Sequence, residues 1–212
     1  MKRRLVLLGP PASGKGTQAE LIQSRLGIPA TSTGAILRRQ AKERTPLGLK
    51  AEQIISKGGL APDNLVMQVV EAWLEAHPGA FLFDGFPRTI EQAKEFDRIL
   101  QQREAPLDLA IALAVSVDTI RTRMALRLVC PNCGKVVSMG KHVQSPQDPC
   151  PNCGGPLEKR LDDNNDALER RLKAYWEKTV PVYKYYGNRL AEVEAGRDAE
   201  LVFADVKELI AG

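Results

Sequence analysis

A short buried strand, a glycine-rich turn and a helix open this chain in that order, and the sequence leaves them few other readings. Residues Arg4–Leu8 form a mostly apolar run that stops at Gly9, as a parallel strand covered on both faces would. Gly9-Pro10-Pro11-Ala12-Ser13-Gly14-Lys15-Gly16-Thr17 follows, and residues 17–26 then carry apolar side chains at helical spacing (Ala19, Leu21, Ile22, Leu26) before Gly27. Such a turn presents backbone N–H groups at a helix N-terminus, where an anion is held by unsatisfied donors and by the helix dipole. Lys15 adds a cation for outer phosphates, and Thr17 stands one place later than a hydroxyl usually follows that lysine. The plain alternative is an ordinary strand-to-helix turn; the flanking elements favour a nucleotide.

The remaining chain continues to alternate. Residues 28–30 read as a second short strand, and 34–57 as two helices divided at Thr45-Pro46 and ended by Gly58-Gly59. Asp63 reads as the cap of a helix with Leu65, Val66, Val69, Val70 and Trp73 on its apolar face. Residues 80–83 and 107–115 read as buried strands, 90–100 and 118–128 as helices, 162–186 as long helical sequence. Residues 201–203 are expected to form a last strand and 205–210 a final helix. Repeated strand–helix–strand units imply a parallel sheet with helices on both faces. The tyrosine-rich stretch 175–186 reads as core packing.

Composition removes other classes. The 212 residues carry 30 basic and 26 acidic side chains, net +4, which suits phosphate ligands but lacks the dense basic stripe of a dedicated nucleic-acid binder. No apolar stretch approaches the roughly 18 residues of a membrane span, and no signal-like segment follows Lys2, Arg3 and Arg4, so a cytoplasmic location is expected.

Two segments interrupt the alternation: 32–61, helical without a strong strand, and 129–159, which holds five of the 14 prolines and all four cysteines. Cys130-Pro131-Asn132-Cys133 and Cys150-Pro151-Asn152-Cys153 are each followed by glycine and are separated by 16 residues. Two such turns can aim four thiolates at one tetrahedral ion, so Cys130, Cys133, Cys150 and Cys153 are the expected ligands of one structural Zn²⁺. Two disulfides are the alternative in an oxidising compartment. His142 reads as a surface residue, since four sulfurs complete the shell.

Gly14-Lys15-Gly16-Thr17-Gln18, Ser32-Thr33-Gly34 and above all Asp84-Gly85-Phe86-Pro87-Arg88-Thr89 resemble the nucleoside monophosphate kinases, specifically the adenylate kinase family with a zinc-binding lid. Arg160-Leu161-Asp162-Asp163 and Arg171 fit the same pattern. The resemblance implies an α/β P-loop three-layer fold: a core of 1–31, 62–125 and 164–212, an AMP-binding lobe at 32–61, and a lid at 126–163. It implies monomeric transfer from MgATP to AMP, giving ADP. Lys15, Arg88, Arg127, Arg160 and Arg171 would be catalytic. Ala12, Ser13, Gly14, Lys15, Gly16, Thr17, Arg123, Arg127, Val136 and Val137 would hold ATP. Thr33, Arg38, Gly59, Leu60, Ala61, Gly85, Arg88, Gln92, Arg160 and Arg171 would hold AMP, and Asp84 would organise Mg²⁺ through water.

Physical reasons stand beside the resemblance. Arginines stabilise the charge spread over a transferring phosphoryl group, and an Arg88 just past a strand end sits where open α/β sheets place ligands. Arg123 and Arg127, four apart, are expected on one helical face. Asp162 and Asp163 are expected as hinge or cap residues, or as partners of lid arginines. A glutamine amide at position 92 can offer donor and acceptor to an adenine edge.

The chain departs from the family pattern at Ala12, where glycine is usual, at Ala35 for an aspartate, and at Val137 for an aromatic. The loop after the last strand is expected to be shortened near Phe203, which leaves a GTP-dependent or other monophosphate kinase open. A P-loop protein with a nucleic-acid-binding zinc ribbon is the reading from another class.

Overall fold

The computed structural model describes residues 1–55, 59–160 and 163–212. In chain order its elements are β1 (Arg4–Leu8), α1 (Lys15–Leu26), β2 (Ala30–Ser32), α2 (Thr33–Lys42), α3 (Pro46–Ile55), α4 (Asp63–Ala76), β3 (Phe81–Asp84) and α5 (Ile90–Gln102). There follow β4 (Leu109–Ala114), α6 (Val117–Ala125), β5 (Arg127–Val129), β6 (Val136–Ser138), α7 (Asn165–Ala174), a π turn (Tyr175–Thr179), α8 (Val180–Tyr186), β7 (Leu190–Glu194) and α9 (Ala199–Ala211).

Side-chain alternation along the strands builds the layers. Val6 and Leu8 of β1, Phe81 and Phe83 of β3, and Ala110 and Ala112 of β4 share one core with α4, α5 and α8. Leu5, Leu7, Leu82, Leu109, Ile111 and Leu113 share the other with Ile22 of α1 and Val202, Phe203 and Val206 of α9. The five strands of this sheet are parallel in the order β2-β3-β1-β4-β7. This is the three-layer α/β architecture expected, with the sheet buried on both faces.

Helix boundaries follow local chemistry. Gly14 and Gly27 bracket α1 in left-handed conformations. Thr89, Ser116, Asn164 and Asp198 cap α5, α6, α7 and α9 with side-chain oxygens that accept backbone N–H bonds.

Four local expectations need correction. Asp63 makes no cap bond; it lies in the first turn of α4 and accepts hydrogen bonds from Thr89 and Gln92. The helix expected over 118–128 ends at Ala125, so Arg127 lies on strand β5 and does not share a helical face with Arg123. The last strand is β7, whereas residues 201–203 lie inside α9, because Asp198 starts that helix earlier. The loop after the last strand is therefore residues 195–198; it contains Gly196 and is not displaced to Phe203. The expected helix stop at Gly58 and the Leu161-Asp162 pair lie outside the described residues.

The segment carrying the cysteines has its own two-stranded antiparallel sheet, with Leu128 opposite Val137, and a bridge from Val129 to Glu158. Leu128, Val137, Val143 and Leu157 pack with Cys130 and Cys150 as a small separate core. Among the described residues, exposed contacts run from this lobe to its surroundings: Lys135 to Glu20 of α1 (2.6 Å), Lys141 to Asp198 (3.4 Å), and Lys42 of α2 to the Pro131 carbonyl (2.8 Å).

Candidate functional site

From β1, flanked by β3 on one side and β4 on the other, the chain first runs out to the edge strand β2, returns to β3, and only later crosses to β4. Strand order thus reverses beside β1, and a crevice opens beyond the strand C-termini at such a point. It is occupied by a cleft of about 910 Å³, within the size range of small-molecule sites. All of the nucleotide-binding and catalytic residues expected from sequence line it, as does Asp84.

The phosphate loop crosses its floor. Gly9 (φ 141°) passes so close to β4 that a Cβ there would lie 2.7 Å from the Leu113 carbonyl oxygen. Ala12 holds φ 57°, so the substitution noted from sequence falls on a left-handed position where glycine carries no steric penalty. Lys15 Nζ donates to the carbonyls of Gly9 (2.9 Å) and Pro10 (2.7 Å) and to Ser13 Oγ (3.2 Å). Burial depresses its ammonium to about 7, opposed by Asp84 and reinforced by Arg88, Arg171 and Arg127. Asp84 ends β3 in register with Ser32 of β2 and Leu7 of β1. Burial raises its carboxyl above the ordinary range, against the pull of Lys15, Arg88, Arg38 and Arg160.

One wall is a buried hydrogen-bond network on α4 and α5. Gln92 is 2% exposed, so its amide is committed to protein. Oε1 accepts from the Arg88 backbone N–H (2.8 Å), and Nε2 donates to Asp63 (2.7 Å), which also accepts from Thr89 Oγ1 (2.9 Å). Arg88 Nε donates to the Gly85 carbonyl (2.7 Å), holding the guanidinium against Lys15 and Asp84. Thr33 is buried at the start of α2, and the Arg38 guanidinium lies 3.2 Å from where a Cβ on Gly34 would be. Gly59, Leu60 and Ala61 complete this side.

On the opposite wall Arg123 donates to the carbonyls of Ser13 (3.2 Å) and Ala195 (2.8 Å), tying the phosphate loop to the 195–198 loop. Arg127 forms a two-pronged ion pair with Asp163, and Arg171 reaches the same carboxylate at 3.5 Å. Asp163 is thus the shared partner of two arginines, one of the roles expected for it. Val136 is exposed at the cleft, whereas Val137 is buried in the small core. Sequence reasoning missed Tyr175, Thr179, Lys141, His142 and Asp198, which also line the cleft. Tyr175 follows Arg171 by four residues, a helical spacing that could have revealed it, whereas Thr179 lies beyond an unforeseen π turn.

In the small lobe the four Sγ atoms lie within 4.8 Å of one another, with Cys130–Cys153 at 3.5 Å and Cys133–Cys150 at 3.7 Å. Sulfurs about 2.3 Å from a tetrahedral Zn²⁺ would be about 3.8 Å apart. The two turns are alike: Gly134 N–H donates to the Cys130 carbonyl and Gly154 N–H to that of Cys150, both at 2.8 Å. The Lys135 backbone N–H leads in lowering the Cys133 thiol, while, against the Gly155 N–H, hydrogen bonds from the neighbouring cysteines push that of Cys153 up, as in a cluster of thiols sharing protons. Donor type, number and spacing all fit one closed tetrahedral ion.

A family model described as adenylate kinase matches residues 7–191, from the first strand through the cysteine lobe to the last strand. The chain is 38% identical over 212 residues to the adenylate kinase of Geobacillus sp. (strain WCH70), covering 98% of each chain. It is 39% identical to that of Pseudothermotoga lettingae (98% of this chain, 97% of the relative). Identity to the adenylate kinase of Methanocella arvoryzae is 40%, over 98% of both chains. A phosphate loop alone is common to many enzymes, but a match that runs on through the arginine-lined cleft and the cysteine lobe is not, and the chain belongs to the adenylate kinase family of nucleoside monophosphate kinases.

Proposed function

We propose that this chain catalyses reversible phosphoryl transfer from MgATP to AMP, yielding two ADP. One observation carries the reading: Lys15, Arg88, Arg127, Arg160 and Arg171, drawn from distant parts of the chain, line one cleft around the phosphate loop. A phosphate oxygen of AMP attacks the γ-phosphorus in line, and the bond from that phosphorus to the β–γ bridging oxygen breaks. The acceptor arrives as an anion, so no strong general base is needed. Arg38 and Arg88 hold the acceptor phosphate. Lys15, with its amine among the loop carbonyls, swings to the outer phosphates of ATP, while Arg127, Arg160 and Arg171 neutralise the equatorial oxygens. Asp84 would hold, through water, the Mg²⁺ that accompanies ATP, and that ion would offset phosphate charge.

Residues 32–61 act as the acceptor lobe, with Gly59, Leu60 and Ala61 against the AMP base and Gln92 behind it. Residues 126–163 act as a lid, bringing Arg127 and Arg160 to the phosphates and excluding water, with Arg123 and Val136 at the donor base. Cys130, Cys133, Cys150 and Cys153 hold one Zn²⁺, whose four thiolates leave no open coordination position and give it a structural role. The chain acts as a cytoplasmic monomer, where a thiolate site survives.

Purified protein with MgATP and AMP is expected to form ADP in strict dependence on AMP. Parallel reactions with GTP as donor and GMP, CMP or UMP as acceptor test base selectivity. Transfer only from GTP, or only to another acceptor, would overturn the substrate assignment; no transfer by folded, zinc-replete protein would overturn the reaction.

A further inference from the structure

Among the cleft residues to which the proposed reaction gives no role is Thr179. It is 5% exposed, lines the cleft, and ends the π turn between α7 and α8. Its Oγ1 donates across 91 positions of sequence to the main-chain carbonyl of Arg88, at 3.1 Å. Arg88 is therefore gripped on both sides of its Cα: the N–H by Gln92 Oε1 at 2.8 Å, the carbonyl by Thr179. Its Nε bond to the Gly85 carbonyl then directs the guanidinium.

The sequence explains why a threonine can reach there. Pro181 follows in the first turn of α8, and in a continuous α-helix its ring would clash with the carbonyl four residues earlier, at Glu177. The backbone widens instead into i→i+5 bonding, seen in the Val180 N–H bond to the Tyr175 carbonyl. Residues four apart on an α-helix advance by about 40° around its axis. A wider turn takes fewer degrees per residue and reverses that drift. Arg171, Tyr175 and Thr179 consequently all face the cleft. A helix that carries a phosphate-facing arginine at one end thus holds the backbone of another arginine at the other.

We infer that Thr179 is a positioning residue for Arg88, fixing the acceptor arginine through its main chain and coupling it to the helix of Arg171. The inference rests on the proposed assignment of Arg88 to the acceptor phosphate. Thr179→Val keeps the side-chain volume and removes the donor; Thr179→Ser keeps the donor. With both nucleotides varied, Thr179→Val is expected to lower kcat/KM for AMP about tenfold while leaving KM for ATP unchanged. Thr179→Ser should recover most of that loss. In an Arg88→Ala background, Thr179→Val should cost little more, because the group it positions is gone. Melting curves recorded alongside separate folding losses from kinetic ones.

Equal activity of Thr179→Val and wild type would overturn the inference. So would equal losses for both nucleotides, failure of serine to rescue, or full additivity with Arg88→Ala. A wild-type protein that forms no AMP-dependent ADP would instead sink the proposed reaction, so the two failures read differently.

Discussion

The central sheet and the cysteine lobe solve the same problem by different means. The sheet's two faces are covered by clusters of 22 and 15 buried apolar residues, enough for packing alone to hold them. The lobe's own cluster has six, two of them cysteines, and so small a core needs a cross-link. A segment can project from a well-packed body only if something other than apolar area holds it together, and here four sulfurs are placed to do so.

The sharpest way to break this comparison is to remove the cross-link. If the proposed zinc site is the cross-link, Cys150→Ser or stripping by a chelator should abolish metal binding and unfold the lobe, since a structural zinc site contributes about 10 kcal/mol or more. The sheet should still melt cooperatively. Metal analysis combined with hydrogen exchange over residues 127–158 checks this; loss of the whole fold in one step would erase the distinction drawn above.

Phe96→Ala is the reciprocal test. Phe96 packs against Phe81, Phe83 and Phe86 at ring distances of 5.9, 5.6 and 4.9 Å. Truncation should cost about 3–5 kcal/mol in denaturant titration. The metal content of the folded fraction should stay at one per chain.

The two regions should also answer to pH in different windows, each gaining stability as pH rises. Lys15 is depressed to about 7, so above that pH the unfolded chain binds its proton and the folded chain does not. Its contribution to nucleotide-free stability should rise between about pH 7 and 10, by at most about 1.4 kcal/mol per unit, and Lys15→Met should flatten the slope. Acid should act on the lobe, because protons compete with metal for thiolates. Thermal melts across pH, with metal release followed in parallel, separate the two.

The smallest effect is expected at Ala12, whose φ of 57° carries a steric penalty. Ala12→Gly should change stability by about 1 kcal/mol or less, the relief of strain being partly offset by added freedom in the unfolded chain. That corresponds to an upward shift in Tm of about 2–4 °C, visible by calorimetry.

What could be read in the sequence was what is local. β1, β3 and β4 are buried on both faces and therefore appear as continuous apolar runs, and the cysteine turns repeat Cys-Pro-Asn-Cys-Gly within a few residues. β7 was illegible because it lies at the sheet edge: Leu190-Ala191-Glu192-Val193-Glu194 mixes apolar and charged residues. Leu201, Val202 and Phe203 suggested a strand because three apolar residues cannot distinguish strand from helix; the Asp198 cap decides it. At the site, the phosphate loop was evident from its glycines, and the arginines from the resemblance. The sharing of Asp163 by Arg127 and Arg171, and the grip of Thr179 on Arg88, join residues far apart in the chain or across an unforeseen turn, and no spacing rule reports them.

Away from the largely buried Arg127–Asp163–Arg171 cluster at its base, the contacts described for the cysteine lobe, from Lys135, Lys141 and Lys42, are exposed. Exposed ion pairs contribute about 0–1 kcal/mol and are screened over about 8–10 Å in ordinary salt. In mechanical terms the lobe is a stiff tip on a compliant mount. Added electrolyte should loosen the mount while sparing the tip, so that ionic strength becomes a dial on turnover with little purchase on the melting of the sheet.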